Sequence, residues 1–284
     1  MPPSIRHSIQ QATKQLEPVS DSAQLDAELL LCSILKKDRV FLHTWPEREL
    51  EDHDYSLFIE LINRRLDGEP VAHILGERDF WTLNLKVTPD TLIPRPETEL
   101  LVELALKNIP EDQPVKILDL GTGTGAIALS LASERPLAEV TASDFSAAAL
   151  EVAKQNAEKH QLKNISFLQS HWFSEIPEQA FNIIVSNPPY VCEEDPHLDQ
   201  GDVRFEPRSA LTSGRDGLDD IREIIHQARN YLSNNGVLLL EHGYDQEEAV
   251  TELFNAAGFE QVSDHSDYNH QPRVAIGSIP SINK

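Results

Sequence analysis

Val115-Lys116-Ile117-Leu118-Asp119-Leu120 runs without a break into Gly121-Thr122-Gly123-Thr124-Gly125-Ala126. The first six residues are apolar enough for a buried strand. The three alternating glycines then let the backbone turn tightly and approach a ligand before a helix begins. Nineteen residues past Gly125, Asp144 closes the next predicted strand, where a carboxylate can accept both hydroxyls of a ribose. A Gly-rich turn alone is weak evidence. Joined to an acid at the end of the following strand, it points to an adenosine-type cofactor.

Outward from this turn the pattern alternates strand and helix. Strands are predicted at 115–120, 139–144, 164–169, 181–186 and 236–241, with later ones near 259–264 and 272–277. Helices fit between most of them, for example at 146–159 and 218–231. This is the signature of an α/β fold with a mostly parallel sheet wrapped by helices. Asp119, one residue before the first glycine, suits a cationic ligand, and S-adenosylmethionine carries an ammonium and a sulfonium. Asp119 also reads as a strand-end residue bonding the loop amides, and the two roles are compatible. Trp172, shortly after the third strand, either covers an adenine face or packs in the core.

A second motif follows the strand Phe181-Asn182-Ile183-Ile184-Val185-Ser186. It is Asn187-Pro188-Pro189-Tyr190. Two prolines donate no backbone hydrogen bond and fix their own φ, so the strand stops there. The result is a stiff turn at the carboxyl end of a strand, where open α/β sheets place their ligands. It offers an amide side chain, two unpaired carbonyls and an aromatic ring. That set suits a planar NH2 group, with carbonyls accepting its hydrogens and the ring covering its face.

The first seventy-odd residues read as helices. Ile5, Ile9, Ala12 and Leu16 recur at helical spacing; Leu30, Leu31, Ile34 and Leu35 share a face, as do Tyr55, Phe58, Ile62 and Leu66. A small bundle over 1–75 is expected, joined through Trp45-Pro46 and an acidic loop from Glu47 to Asp54. It serves either to dock a substrate or only to stabilise the chain. Trp81, Leu83, Leu85 and Val87 then alternate with polar residues as in a β-hairpin. Residues 76–97 are read as a linker carrying that hairpin and 98–284 as the cofactor-binding domain. Pro96 is placed in the first turn of a helix over Leu100 to Leu106.

The chain has 284 residues, 40% hydrophobic and 25% charged, as expected of a soluble globular protein. No apolar run reaches the length of a membrane span and Met1-Pro2-Pro3-Ser4 lacks a signal-peptide core, so a cytoplasmic protein is expected. With 24 basic and 47 acidic residues the net charge is −23, which repels phosphate backbones and argues against nucleic-acid binding. Cys32 and Cys192 read as ordinary thiols. Asp264, His265, Asp267 and His270 have metal-capable side chains at no standard spacing, and no metal is expected.

Together these residues resemble the release-factor glutamine methyltransferases, the HemK/PrmC family. The Gly121–Gly125 turn, Asp144, Trp172 and Asn187-Pro188-Pro189-Tyr190 carry the core of the likeness. Pro70-Val71-Ala72-His73-Ile74-Leu75-Gly76, Phe80-Trp81, Leu92-Ile93-Pro94-Arg95-Pro96-Glu97-Thr98-Glu99, Arg204-Phe205-Glu206-Pro207 and Leu239-Leu240-Glu241-His242-Gly243 extend it over most of the chain. Asn182 stands where that family often has an acid, and His171 where an Asp often precedes the Trp. The resemblance implies a class I (Rossmann-like) seven-stranded methyltransferase domain behind a helical N-terminal domain. It also implies methylation, from S-adenosyl-L-methionine, of the glutamine in the Gly-Gly-Gln motif of peptide-chain release factors. Asn187, Pro188 and Tyr190 are then the catalytic candidates, and Asn187, Pro188, Pro189 and Tyr190 the substrate-binding ones. Asp119, Gly121, Thr122, Gly123, Thr124, Gly125, Asp144, Trp172 and Asn187 are the cofactor-binding candidates. A monomer is expected. Glu241-His242 reads as structural or as support for the site, and Arg204 and Glu206 as possible walls of the substrate channel. The rivals are a ribosomal-protein glutamine methyltransferase, an adenine-amino methyltransferase on nucleic acid, which would need a basic groove and a flipped base, and a non-enzymatic nucleotide-binding adaptor.

Overall fold

The computed structural model describes residues 3–280; Met1, Pro2 and the last four residues of the expected 98–284 span lie outside the described residues. Contacts within the chain divide it into two units: Met1–Glu77 with Pro196–Phe205, and Arg78–Asp195 with Glu206–Lys284.

The smaller unit contains α1 (Ile5–Leu16), α2 (Ala23–Leu35), α3 (Arg39–Thr44), α4 (Asp52–Leu66) and α5 (Val71–Leu75). Leu16, Leu30, Leu31, Phe58 and Ile62 are fully buried in one cluster, so the apolar faces read from helical spacing are the ones that meet. Helix α4 starts inside the expected acidic loop. Asp52 and Asp54 occupy its first turn and Arg64 and Arg65 its last, each sign at the end of the helix dipole that favours it. Arg65 is buried: its Nε donates to Asp26 Oδ2 at 2.8 Å and its Nη1 to Asp202 Oδ1 at 2.7 Å. That pairing ties the Pro196–Phe205 segment to α2 and α4. Arg204 adds a bond from Nη2 to the Asp67 carbonyl at 3.1 Å.

The larger unit takes in most of a two-stranded hairpin, β1 (Glu77–Phe80) and β2 (Leu83–Lys86). Trp81 lies in the turn between the strands at φ 56°, not in a strand. Its backbone N–H donates to Glu99 Oε1 and its indole Nε1 to Glu134 Oε1, both at 2.8 Å, so polar partners rather than the pleat fix it. After α6 (Glu99–Lys107) come β3 (Lys116–Leu120), α7 (Ala126–Glu134), β4 (Glu139–Asp144), α8 (Ala147–Lys159), β5 (Ile165–Gln169) and β6 (Phe181–Ser186). Then follow α9 (Asp219–Ala228), β7 (Leu232–Glu241), α10 (Glu247–Ala256), β8 (Glu260–Ser266) and β9 (Pro272–Ser278).

Strands β3 to β9 form one seven-stranded sheet in the order β5-β4-β3-β6-β7-β9-β8. The pairs from β5 through β7 are parallel, and β9 runs antiparallel to both β7 and β8. Both faces are covered. Ile117, Ile183, Val185 and Leu239 point into one core, and Leu118, Ile184, Leu238 and Leu240 into the other. Period-two alternation thus fills two cores from near-continuous apolar strands.

Candidate active site

The chain moves from β3 to β4 and β5 in one direction, and β6 and β7 build out in the other. The order reverses between β3 and β6, the position where such sheets open a crevice at their carboxyl ends. Leu120 and Ser186 are register partners, so Gly121 and Asn187 leave the sheet side by side. A cleft of about 600 Å³ lies there, within the roughly 300–1,000 Å³ usual for small-molecule sites.

Gly121, Thr122, Gly123, Thr124, Asp144, Trp172, Asn187 and Pro189 line this cleft, whereas Asp119, Gly125, Pro188 and Tyr190 are not among its lining residues. Gly121 has φ 70°, and a Cβ there would sit 3.4 Å from the Trp172 ring. Glycine is therefore favoured by the turn, while the ring would only come into ordinary contact with a Cβ. Asp144 shapes the loop as well as facing the cleft: its Oδ2 accepts from Gly123 N and its Oδ1 from Ser146 N, each at 2.8 Å. Burial pushes its pKa up, and those two backbone bonds oppose the rise. Trp172 adopts φ 45°, a conformation rare for a bulky side chain. Its carbonyl accepts from Ser170 Oγ at 2.8 Å and its indole donates to Asp220 Oδ1 at 2.9 Å. Backbone and ring are both pinned, as expected where strain is kept at a binding wall.

Asp119 is fully buried at the end of β3. Its Oδ2 accepts from Thr122 Oγ1 at 2.6 Å, while Oδ1 has no hydrogen-bond partner. Burial raises its pKa to about 7, against the pull of the Thr122 hydroxyl and the Ala128 backbone, with the Asp144 charge adding to the rise.

In the second motif, Asn187 Nδ2 donates to Thr98 Oγ1 at 3.1 Å and Pro188 is buried. The Tyr190 hydroxyl lies 3.4 Å from Glu241 Oε1, and the Tyr190 carbonyl accepts from Gln246 Nε2 at 3.1 Å. Burial, then the neighbouring Glu241 charge, push the phenol pKa up. Gly217 packs on the same carbonyl at φ 75°; a Cβ there would come within 2.3 Å of it.

Several cleft residues carry weak sequence signals. Phe145 directly follows Asp144, is 67% exposed, and meets His171 edge-on at 5.9 Å. Its position after a ribose-type acid is the one signal that could have found it. Asp220, which holds Trp172, comes from a distant helix and leaves no local trace. Arg95 and Thr98 lie in the Pro-rich stretch before α6 and line the cleft too. Glu206 is not among the lining residues: its buried carboxylate accepts from the Arg95 guanidinium and, at 3.1 Å, from Ile93 N. It thereby joins the stretch before α6 to the Pro207–Thr212 side of the cleft.

The other metal-capable residues are engaged elsewhere. Asp264 Oδ2 sits 2.5 Å from His242 Nε2, and Asp267 Oδ1 accepts from Asn269 N and Gln271 N. No group of three His, Cys, Asp or Glu among the described residues is arranged to hold a metal ion.

Residues 7–76 match the family described as PrmC N-terminal domain, and residues 111–281 the one described as Methyltransferase domain. The "Release factor glutamine methyltransferase" of Escherichia coli K12 is 51% identical over 272 residues, covering 96% of this chain and 98% of that protein. Those of Coxiella burnetii and Pseudomonas aeruginosa are 49% and 54% identical, covering 96% and 92% of this chain and 98% and 94% of theirs. The chain belongs to the release factor glutamine methyltransferases. As a member of that family it uses S-adenosyl-L-methionine.

Solved structures agree on the fold of this glutamine methyltransferase. A methyltransferase from Pyrococcus furiosus superposes with a TM-score of 0.54 at 19% identity, covering 77% of this chain and 97% of that one. A Thermus thermophilus 16S rRNA methyltransferase in complex with AdoMet and guanosine gives 0.55 at 22%, covering 72% and 49%. The residues present fit the cofactor. A carboxylate faces the cleft at Asp144, an acceptor without a donor is buried at Asp119, and no atom lies within 4 Å of where a Gly123 Cβ would stand. Among the described residues, no helix is long and apolar enough to cross a membrane.

Proposed function

We propose that this enzyme methylates the side-chain amide nitrogen of the glutamine in the Gly-Gly-Gln motif of peptide-chain release factors. The observation that carries the reading is the position of Asn187 beside the Gly121 turn at the reversal of strand order, which brings an amide acceptor to the cofactor cleft. An amide nitrogen is a poor nucleophile because its lone pair is delocalised into the carbonyl. Bound S-adenosyl-L-methionine supplies an electrophilic methyl on a sulfonium. The chain's contribution is position. Asn187 Oδ1 and the Pro188 carbonyl accept the two amide hydrogens and hold the nitrogen in line, and orientation of this kind is worth several orders of magnitude in rate. The nitrogen gains the methyl carbon as that carbon's bond to sulfur breaks, the electron pair staying on sulfur, which leaves as a neutral thioether. The nitrogen then releases a proton to solvent. No dedicated base is assigned.

Asp144 binds the ribose hydroxyls with the lone pairs left over from Gly123 and Ser146, while Trp172 covers the adenine. Asp119 answers the positive charge through Thr122 and the turn. Tyr190 stiffens the proline turn from its Glu241 and Gln246 contacts and closes the glutamine side of the site. The helical unit is assigned to docking of the release factor. We place the reaction in the cytoplasm, with a monomeric enzyme. Its charge of −23 disfavours direct contact with nucleic acid.

The test is methyl transfer from labelled cofactor to a full-length release factor and to the same factor with Ala in place of the Gly-Gly-Gln glutamine. Label on the first and not the second is expected. Equal label on both would contradict the assigned glutamine, and label on neither would redirect the search to ribosomal proteins.

A further inference from the structure

Asn187 can present either end of its amide to the cleft, and only one end is useful. If Oδ1 faces the substrate, it accepts from the glutamine NH2. If the group flips about χ2, two NH2 groups face each other and no bond forms. Something must fix the orientation.

Thr98 is placed to do so. It is buried and marks the N-terminus of α6, yet its side chain makes no capping hydrogen bond there. Its Oγ1 instead receives Asn187 Nδ2 at 3.1 Å. A hydroxyl can donate as well as accept, so Thr98 fixes the amide only if its own proton is directed elsewhere. Glu241 ends β7, and Leu240 is the register partner of Ser186, so Glu241 and Asn187 leave neighbouring strands together. The Glu241 carboxyl is fully buried. Its Oε1 is 3.4 Å from the Tyr190 hydroxyl and its Oε2 has no partner of good geometry. The Thr98 hydroxyl is among the groups that pull the pKa of that carboxyl down, and the carboxyl keeps a buried acceptor free on Oε2.

We propose that Thr98 is the positioning residue of the amide clamp: with its proton turned toward Glu241, its oxygen accepts from Asn187 Nδ2 and so holds Asn187 Oδ1 toward the cleft. This rests on the reading of Asn187 as the group that binds the substrate amide. The groups facing Glu241 are Thr98, Tyr190, Arg273 and Glu97. Burial raises its carboxyl to about 7, with the Thr98 hydroxyl and the Arg273 charge pulling down, Glu97 pushing up, and the Tyr190 hydroxyl pulling down last. Once protonated, Glu241 no longer takes the Thr98 proton, and the amide loses its bias.

The experiment is single-turnover methyl transfer to a full-length release factor at saturating S-adenosyl-L-methionine, with cofactor affinity measured by calorimetry. Thr98→Val should slow transfer about ten- to hundredfold with cofactor affinity within about twofold, and Thr98→Ser should restore most of the rate. Wild-type rate in Thr98→Val, or a Thr98→Ser as slow as Thr98→Val, overturns the proposal. Should Thr98→Val fail to fold, the pH profile decides. The wild-type rate should fall as pH drops through about 7, and Glu241→Gln should be slow with that acid limb gone. A retained limb in Glu241→Gln overturns the relay; saturating cofactor keeps Asp119 from supplying a limb of its own through binding. Asn187→Ala separates the two readings. Wild-type rate there sinks the amide clamp itself, whereas an inactive Asn187→Ala beside a fully active Thr98→Val removes only the positioning role.

Discussion

Asp144 and Asp119 are carboxylates one strand apart, and their surroundings divide their work. Asp144 faces the cleft with one lone pair on each oxygen already taken by a backbone amide. Asp144→Ala removes the proposed ribose acceptor and loosens the Gly123 turn. We expect cofactor binding to weaken by about a hundredfold, the loss of one to two hydrogen bonds to a charged group. Calorimetry checks this, and unchanged affinity would refute the role. Asp119 is buried, with its pKa raised to about 7 from 3.8. The folded state therefore holds a proton there that the unfolded chain has released. Its stabilising contribution is complete below about pH 4 and lost as pH rises through about 7. Asp119→Asn without cofactor should melt above wild type at pH 8, with the gap closing toward pH 4. A gap that widens in acid would contradict that sign.

At the scale of elements, much of the larger unit is legible in sequence. The β4 and β6 boundaries fall at 139–144 and 181–186 as read, because apolar runs end abruptly at an acid or a proline. Helices α3 and α5 have six and five residues, too short for periodicity to register, and Trp81 mimics a strand position while sitting in a turn. Asp220 and Thr98 reach the cleft from separate elements, and no local pattern joins them. Glu206 shows what such a long-range contact does. It holds Arg95 and Ile93 N across more than a hundred residues of sequence. Glu206→Ala should leave a partly buried guanidinium and a backbone amide without their acceptor. A loss of about 2 kcal/mol is expected, read as a lower urea midpoint at unchanged slope. No change would mean that water replaces the carboxylate freely.

For the whole molecule, the division into units cuts across chain order. Pro196–Phe205 follows the proline turn in sequence yet groups with the N-terminal helices, and nothing in its composition announces that. Arg65 is the reason, bridging Asp26 and Asp202 from a buried position. Arg65→Ala leaves the buried Asp26 charge with only the Ser20 and Ser22 hydroxyls as partners, so we expect about 3 kcal/mol of destabilisation. Thermal melting would reveal it, and a wild-type melting curve would show that the bridge contributes nothing. The central claim joins both motifs in one reaction, and peptide mass spectrometry of a release factor incubated with this enzyme and S-adenosyl-L-methionine tests it most directly. One added methyl on the Gly-Gly-Gln glutamine is predicted, absent with Asn187→Ala although that variant still binds cofactor. An unmodified glutamine with folded, cofactor-bound wild-type enzyme, or equal methylation by Asn187→Ala, would contradict the account.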